Sequence, residues 1–578
     1  MWSSGTHNLR THFQLSLRLD SAPGSCHGWP RCPTEPFWDY TAANENLQGK
    51  LMIFRSPYPD VGIPEVPFPQ FLLHRAAELS DKPALIDAPT RRTLTYAQLA
   101  DGVGRVAANL SVRGMRKGDV FAIMTPNLPE FAVAFLGALS AGGVVTTLNP
   151  LYTVDEIAHQ LEDARALYLL TIPQLLDKAR EADAKHSLRE VFVVGEEGGR
   201  GATPFNVLLA AGSHLPGVGV NTSDIAILPY SSGTTGLPKG VILTHRNLIA
   251  GVLAAAIPLQ ASLINKTGLG LLPFFHIAGM VCVLCASLYS GSTLILLRSF
   301  DLESFLGTIQ DYRIQGVPLV PPIVIALAKH PIVDTYDLSS LELIGSGAAP
   351  LGADVQHACS ERLKVSVIQC YGMTEAAGMT HGSTEAAHKN KFGSVGPCAP
   401  NLECKVVDIA TTADVGPNQR GEVWVRGPQM MRGYLNNAEA TSRCVDREGW
   451  YRTGDIGYAD EDGYFYIVDR LKDLIKYKGF QIAPAELEGL LLTHPAISDA
   501  AVIASPDEEA GEVPKALVVL KGPATAEEIM SFVTARVAPY KKIKRLEFVE
   551  QIPKTSAGKI LRRVLCEHER SLRSEARL

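Results

Sequence analysis

The sequence predicts an α/β protein with a large N-terminal domain of parallel and mixed sheets flanked by helices, a β-rich subdomain and a small C-terminal α+β domain. Three observations predict it. The chain has 578 residues, which is too many for one ordinary core. Short β-rich runs alternate with helical patterns from Pro83 to about Leu297. A second, smaller α/β pattern begins after Asp469.

The elements of the large domain can be predicted in order. A strand at ALIDA precedes a helix at YAQLADGVGRVAANLSVRG, and a strand at VFAIMTP precedes a helix at PEFAVAFLGALSAGG and a strand at VVTTL. This alternation predicts parallel sheets with helices on their faces. The stretch from GEVWVRG to YFYIVDR has short strands divided by turns, which indicates the β-rich subdomain that closes the domain.

The small domain has its own order of elements and sets the domain bounds. We predict a helix at AELEGLLLTHP, strands at AVIAS and ALVVL, a helix at AEEIMSFVTARVA and a strand at RLEFVE. Residues 1–51 form an N-terminal extension, which is either disordered or a weak transit peptide, since patterned sequence begins near Met52. The predicted bounds are 52–468 for the large domain, 469–472 for a hinge, 473–570 for the small domain and 571–578 for a tail.

Composition narrows the class of protein. A net charge of −6 gives no reason to expect nucleic acid as a partner. The segment from Leu271 to Leu297 lacks charged residues, but its prolines, glycines and histidine favour strand, loop, buried helix and strand over a membrane span. The ten scattered cysteines favour reduced thiols inside the cell, with Cys282 and Cys285 as buried neighbours on a helix.

The chain ends in a tripeptide of the small, basic, leucine form that peroxisomal import receptors recognise. We therefore expect a peroxisomal location, with the cytoplasm as the alternative. The tripeptide is Ala576, Arg577 and Leu578.

The most specific motif is YSSGTTGLPKGV, which follows a strand-like run and precedes an apolar one. Successive small and hydroxyl residues let backbone N–H groups and hydroxyls surround phosphate oxygens, and a lysine adds positive charge. The chain has neither a Walker loop nor a G-x-S-x-G elbow, which disfavours P-loop and serine-hydrolase chemistry. The predicted phosphate-binding residues are Ser231, Ser232, Gly233, Thr234, Thr235 and Lys239.

This motif resembles the signature loop of the adenylate-forming superfamily, which comprises acyl-CoA synthetases, luciferases and peptide-synthetase adenylation domains. The resemblance spans about Met52 to Arg563 and is closest to the 4-coumarate:CoA ligases. The segments that carry it are LPFFHIAGM, GSGAAPLG, YGMTEA, GYFYIVDRLKDLIKYKGFQIAPAELE and PKTSAGKILRR.

The resemblance implies roles in nucleotide binding. It places Tyr371 beside adenine, Thr374 at the α-phosphate and Glu375 at Mg²⁺, and it includes Gln369 and Cys370 in the ATP/AMP site. Asp455 is implied at the ribose hydroxyls and Arg470 at ribose or phosphate. One carboxylate suffices for Mg²⁺ because phosphates and waters complete its coordination.

The resemblance also implies roles for lysines of the small domain. Lys559 matches the lysine that stabilises negative charge during adenylation. Lys472 matches the hinge about which the small domain rotates between half-reactions. Lys476 and Gln481 match active-site positions, and Lys478 and Gly479 match the loop along the path of the thiol.

The implied acid site departs from the 4-coumarate ligase pattern. His276 matches the histidine beside the substrate carboxylate, and Ala348 matches the pocket. Ala278 replaces a tyrosine, Cys370 replaces a glycine and Gly345 replaces a larger apolar residue. Ser299 replaces a lysine that is associated with coenzyme A in some plant relatives, and Arg298 beside it could take the place of that lysine. The pocket therefore has an altered shape, and hydroxycinnamate specificity does not carry over.

The function expected from the sequence is an ATP-dependent acid:CoA ligase that uses Mg²⁺, ATP and CoA. Its acid is either an aryl-propenoic acid or a medium- or long-chain fatty acid. The alternatives are a luciferase-like oxygenase, an enzyme that transfers the acyl group to a carrier protein, and a catalytically silent binding protein.

Overall fold

The computed structural model describes residues 52–195, 199, 201–211, 218–231, 238–258, 265–383, 391–478, 480–507, 510–555 and 558–575. The predicted extension 1–51 and the tripeptide Ala576, Arg577 and Leu578 lie outside the described residues.

A nine-stranded sheet forms one layer of the large domain, and its centre is parallel. Successive buried strands such as Val120–Met124 read as continuous apolar runs because helices cover both faces. Its strands are Val120–Met124, Val144–Thr147, Ala166–Thr171, Glu190–Val193, Thr203–Pro204, Ile225–Ile227, Tyr230–Ser231, Lys239–Thr244 and Gly433–Tyr434.

A seven-stranded sheet forms the second layer. Its strands are parallel except for Arg92–Thr95, which pairs antiparallel with Pro83–Asp87. Its parallel strands end at one edge, where the segments after Leu343–Ser346 and Ser366–Gln369 carry site residues. The strands are Pro83–Asp87, Arg92–Thr95, Thr267–Gly270, Thr293–Leu296, Gly316–Leu319, Leu343–Ser346 and Ser366–Gln369.

Helices cover these sheets and fill the main core. Helix Tyr96–Val112 starts at a capping box formed by Thr95 and Gln98, and it packs closely on helix Pro129–Ser140 because Gly137 has no side chain to meet Val106. The remaining α-helices of the large domain are Phe68–Leu72, Val154–Asp163, Leu176–His186, His245–Ala256, Ala286–Tyr289, Leu302–Tyr312, Pro321–Lys329, Ala353–Leu363 and Ala438–Cys444. Shorter helical turns are Pro173–Leu175, Phe205–Leu209, Pro331–Thr335, Thr374–Ala376 and, in the small domain, Pro539–Lys541.

The β-rich subdomain is a five-stranded antiparallel sheet. Beside it lies a short hairpin, Tyr371–Met373 with Gly378–His381. The strands of the sheet are Phe54–Arg55, Glu403–Val407, Gly421–Arg426, Tyr451–Ala459 and Phe465–Arg470.

The small domain is a mixed five-stranded sheet with helices, so the predicted fold class is confirmed. The subdomain sheet ends at Arg470 and the small sheet begins at Ile475, so residues 471–474 connect the two sheets. The small domain has strands Ile475–Tyr477, Phe480–Ile482, Ile497–Asp507, Gly511–Leu520 and Arg545–Phe548, and helices Pro484–Leu492, Ala526–Thr534 and Arg562–Glu575.

Of the strand, loop, buried helix and strand predicted for the apolar segment 271–297, the first strand, Thr267–Gly270, ends just before the segment. The loop, the helix and the strand Thr293–Leu296 are present, and the helix starts as a π-helix, Ala278–Cys285. Gly279 lets this helix lie close to the preceding loop, since a Cβ there would lie 2.1 Å from the Pro273 carbonyl oxygen. Within the described part of the chain, no helix combines the length and apolarity needed to cross a membrane.

Candidate active site

Two antiparallel strands bring the ends of the phosphate-binding motif together. Ser231 and Lys239 are register partners, and the Lys239 ammonium lies 5.1 Å from the centre of the Tyr434 ring. This contact holds the cation at the mouth of the loop. The other four motif residues lie outside the described residues: Ser232, Gly233, Thr234 and Thr235.

Glu375 lies beside this loop in the turn Thr374–Ala376 and is buried. Its Oε1 accepts hydrogen bonds from the Ser231 hydroxyl and the Tyr434 hydroxyl, both at 2.9 Å. Its backbone carbonyl accepts from the Met431 N–H at 2.7 Å. A buried carboxylate fixed next to a phosphate loop fits the requirements of Mg²⁺, a hard cation that prefers oxygen ligands.

Asp455 is the centre of the predicted ribose site. It is 6% exposed, and it faces Arg470 across two antiparallel strands, with 3.2 Å between Asp455 Oδ1 and Arg470 Nε. The Tyr371 hydroxyl donates to Asp455 Oδ2 at 2.5 Å. Burial and the Asp455 carboxylate raise the pKa of Tyr371 well above its usual value, so this phenol remains a donor. A carboxylate has about four acceptor positions, which leaves capacity for a diol.

The hairpin that carries Tyr371 is held by close backbone packing. A Cβ at Gly372 would lie 2.1 Å from the Gly378 carbonyl oxygen. Ala377 and Gly378 both have positive φ, at 49° and 119°. This tight reversal places Tyr371 at one end of the hairpin and Thr374, half-buried, at the other.

Lys559 reaches the same cleft from the small domain. The turn before it is closed by a hydrogen bond from the Thr555 N–H to the Lys559 carbonyl at 2.8 Å, and Gly558 has a φ of 76°. A Cβ at Gly558 would lie 3.4 Å from Val320, so the turn packs against the large domain. Burial, and next the nearby Arg470 guanidinium, lower the pKa of Lys559 to about 8.

The other small-domain residues lie near the boundary. Lys472 is exposed in the turn after Arg470, and Lys476 pairs with Gln481 in the hairpin of the small sheet. Lys478 has a φ of 45°, and its N–H donates to the Ala510 carbonyl at 3.1 Å. Gly479 and the side chain of Gln481 lie outside what the structure describes.

The predicted acid pocket is lined by small and sulfur-containing residues. A methyl group added to the Gly345 Cα would have no described atom within 4 Å. Cys370 packs with Cys282 and Met379, and Ala278 is partly exposed at the start of the π-helix.

His276 and Ala348 complete the implied pocket. Burial lowers the pKa of His276 to about 4, so the imidazole is neutral at physiological pH. The ring centres of His276 and Phe275 are 4.5 Å apart. Ala348 has a φ of 69°, which turns the chain sharply after the strand Leu343–Ser346.

Gln369 and Arg298, two further sequence-predicted residues, also have partners inside the protein. The Gln369 amide donates to the Leu351 carbonyl and to Gln356 Oε1, at 3.0 and 2.9 Å, so its side chain orders the adjoining segment. Arg298 donates to the buried Asp87 carboxylate at 2.7 Å, next to the exposed Ser299. A phosphate of coenzyme A at Arg298 would share this guanidinium with Asp87.

Sequence reasoning missed Tyr434, which contacts both Lys239 and Glu375. Its hydroxyl also lies 3.4 Å from that of Tyr451. Tyr434 belongs to a two-residue strand far from both partners in the sequence, and no local pattern marks it. Its pairing with Val241 is what brings it to the phosphate loop.

Comparison with known proteins identifies the family of this site. Residues 72–435 match the AMP-binding enzyme family, and residues 486–559 match the AMP-binding enzyme C-terminal domain. The chain is 43% identical over 538 residues to 4-coumarate–CoA ligase 1 of Petroselinum crispum, covering 91% of this chain and 98% of the relative. It is 42% identical to 4-coumarate–CoA ligase-like 1 of Arabidopsis thaliana, covering 89% and 96%.

Solved structures agree with this assignment. The anthranilate CoA ligase AuaEII in complex with anthranoyl-AMP has a TM-score of 0.81 at 27% identity, covering 89% of this chain and 99% of that one. ATP-bound MatB from Rhodopseudomonas palustris has a TM-score of 0.78 at 29% identity, covering 86% and 98%. The chain therefore belongs to the adenylate-forming AMP-binding enzyme family and is an acid–thiol ligase.

Proposed function

We propose that this ligase joins an aryl-propenoic acid, or a bulkier aryl-alkanoic acid, to coenzyme A, and that it prefers acids without a polar group at the far end of the ring. The observation that carries the proposal is the space in front of Gly345, whose added methyl group would meet no described atom. The relatives named 4-coumarate–CoA ligase support an aryl-propenoic acid.

The polarity of the pocket supports the second part of the proposal. Ala278 has no hydrogen-bonding side chain, and Cys370 lies in an apolar cluster with Cys282 and Met379. A phenol buried against such groups loses its hydrogen bonds to water without replacing them, which costs roughly 1–3 kcal/mol. An unsubstituted or alkyl-substituted ring avoids this cost.

The first half-reaction is adenylation. A carboxylate oxygen of the acid attacks the α-phosphorus of ATP, the bond to the β,γ-diphosphate breaks, and pyrophosphate leaves. Asp455 and Arg470 hold the ribose, and Thr374 binds the α-phosphate. The Lys559 ammonium stabilises negative charge that grows on the phosphoryl oxygens in the transition state. Glu375 would hold Mg²⁺, which would supply positive charge to neutralise the phosphates.

The second half-reaction is thioester formation. The sulfur of coenzyme A attacks the acyl carbonyl carbon, the bond to AMP oxygen breaks, and the thiol proton leaves to solvent. The thiol needs access to the cleft that Lys559 fills in this structure. We infer that the small domain rotates about Lys472, which removes Lys559 and brings Lys476 and Lys478 toward the acyl-adenylate.

An assay of thioester formation with ATP, Mg²⁺ and coenzyme A tests the proposal. We expect a higher kcat/KM for cinnamate and alkyl-substituted cinnamates than for 4-coumarate. A preference for 4-coumarate would contradict the proposed polarity, and turnover of fatty acids alone would contradict the substrate class.

The same assay distinguishes the other functions. AMP release without a thioester, together with light emission from luciferin, would indicate an oxygenase. A preference for a phosphopantetheinylated carrier protein would indicate a different acceptor. A chain that exchanges no pyrophosphate with any acid would be a binding protein.

A pocket variant tests the role of Gly345. We expect Gly345→Leu to fill the open space and to lower kcat/KM for bulky acids at least tenfold relative to cinnamate, with the KM for ATP unchanged. Gly352→Ala is the matched control, since its added methyl group also meets no described atom but lies at the start of helix Ala353–Leu363. Equal losses for all acids in Gly345→Leu would exclude a selective role.

A further inference from the structure

Three metal-binding side chains meet in the core of the β-rich subdomain, outside the catalytic cleft. His381, Cys398 and Cys404 are at most 1% exposed, and their ligand atoms all lie within 4.8 Å of one another. Cys398 Sγ is 3.8 Å from His381 Nε2. Adenylation and thioester formation, as described above, use none of the three.

The fold brings these residues together from separate segments. His381 ends the hairpin strand Gly378–His381 and forms an isolated β-bridge with Cys398. Cys404 lies in the next strand, Glu403–Val407, opposite Phe54 of the N-terminal strand. A group bound to all three would therefore cross-link the hairpin to the five-stranded sheet.

The imidazole of His381 is oriented as a metal ligand. The Thr380 hydroxyl donates to the Tyr371 carbonyl at 3.2 Å, so its oxygen is available to accept from His381 Nδ1, 3.0 Å away. A proton on Nδ1 leaves the lone pair of Nε2 directed at the sulfur atoms. A metal-bound histidine commonly has such a partner on its other nitrogen.

We propose that His381, Cys398 and Cys404 bind one Zn²⁺ ion. Soft sulfur ligands with an imidazole select Zn²⁺ or Cu⁺ over Mg²⁺. Tetrahedral Zn²⁺ with its usual bond lengths sets sulfur and nitrogen ligands about 3.6 Å apart, close to the observed 3.8 Å. The Phe54 carbonyl oxygen, 3.8 Å from Cys398 Sγ, is the candidate fourth ligand.

Charge distinguishes the two soft ions. Two thiolates and a neutral imidazole around Zn²⁺ give a net charge of zero, which suits a site surrounded by the Phe54 and Phe465 rings. The same ligands around Cu⁺ leave one uncompensated negative charge in the core, which is costly.

The ion would stabilise the hairpin that carries the nucleotide residues. His381 is the register partner of Tyr371, and their ring centres are 5.6 Å apart. A ligand bond at His381 therefore fixes the strand that positions the Tyr371 hydroxyl on Asp455. We assign the ion a structural role, separate from that of Mg²⁺ in the reaction.

Metal analysis of the purified full-length protein under reducing conditions is the first test. We expect elemental mass spectrometry to find one zinc per chain in the wild-type protein. This zinc should be lost in Cys404→Ser and in His381→Gln. Cys359→Ser is the matched control, because Cys359 is equally buried but lies in helix Ala353–Leu363. Zinc that persists in both site variants would overturn the proposal.

Cobalt substitution tests the wild-type chain, so the result does not depend on how the variants fold. Bound at the site, Co²⁺ would show a thiolate charge-transfer band and intense visible bands of tetrahedral geometry, and added Zn²⁺ would abolish them. The proposal would be overturned if these bands were absent and the protein also bound no zinc after dialysis against Zn²⁺. A Cys398–Cys404 disulfide in freshly purified protein, seen as a loss of two hydrogens in the intact mass, would also overturn it.

Discussion

Lys559 is the residue whose charge the adenylation step uses most directly, since it is the cation that the small domain brings into the cleft. Its neighbours there are Arg470, Asp455, Asp473 and Lys472. We expect Lys559→Ala to lower ATP–pyrophosphate exchange roughly 10²- to 10³-fold, by analogy with the loss of one preorganised donor. Lys554→Ala, which removes only an ion pair with Asp499, is the control on the same loop.

The lowered pKa of Lys559 gives a pH dependence. The ammonium is present below about pH 8 and is lost as pH rises through that value. We therefore predict that kcat/KM for ATP in the exchange reaction falls above pH 8. In Lys559→Arg the charge persists, so the remaining activity should lack this decline. An identical decline in both proteins would assign the titration to another group.

Asp455 holds two partners, Arg470 and Tyr371. Removing its charge leaves the partly buried Arg470 without its counterion and weakens the Tyr371 hydrogen bond. We expect Asp455→Asn to raise the KM for ATP roughly ten- to a hundredfold, the size of a lost charged hydrogen bond. Asp462 is an exposed aspartate on a turn of the same sheet, and the control variant Asp462→Asn should leave the KM for ATP unchanged.

At the scale of elements, the hairpin of Tyr371–Met373 and Gly378–His381 has little tolerance for added atoms. Gly372→Ala would place a Cβ 2.1 Å from the Gly378 carbonyl oxygen, so the two strands must separate. We predict a destabilisation of at least about 2 kcal/mol in denaturant unfolding, together with weaker ATP binding. A variant with wild-type stability and ATP affinity would show that the hairpin does not position the nucleotide.

The turn at Lys472 is the element that joins the two domains, between the strand that ends at Arg470 and the one that begins at Ile475. A proline there fixes φ and restricts rotation. Because Lys559 lies in the cleft in the present arrangement, Lys472→Pro should keep pyrophosphate exchange within a few-fold of wild type and lower thioester formation at least tenfold. Lys472→Ala should retain both half-reactions, and parallel losses in the proline variant would contradict the hinge.

At the scale of the whole molecule, local sequence patterns were sufficient to predict the alternation of strands and helices. The alternation ALIDA, helix, VFAIMTP, helix, VVTTL appears as the strands Pro83–Asp87, Val120–Met124 and Val144–Thr147 with their helices. Periodicity is a property of neighbouring residues, so it can be read without knowing which strands pair. The loop around Lys239 could be recognised from its own residues, whereas the roles of Glu375 and Asp455 were implied by the family resemblance.

Contacts between distant segments could not be predicted in this way. Tyr434 reaches Glu375 from 59 residues away, and Arg298 reaches Asp87 from 211 residues away. The His381, Cys398 and Cys404 cluster depends on a β-bridge and on strand register, and the three residues have no recognisable metal-binding spacing. Such sites require the sheet topology, which the linear pattern leaves open.

The measurement that tests the central claim most directly is a comparison of both half-reactions in wild-type and Lys559→Ala protein, with cinnamate as the acid. We predict that wild type forms the acyl-CoA from ATP, cinnamate and coenzyme A. Lys559→Ala should lose adenylation but still convert supplied cinnamoyl-AMP to the thioester at a rate near wild type. Wild-type protein that forms no thioester, or a variant equally impaired in both steps, would contradict the account.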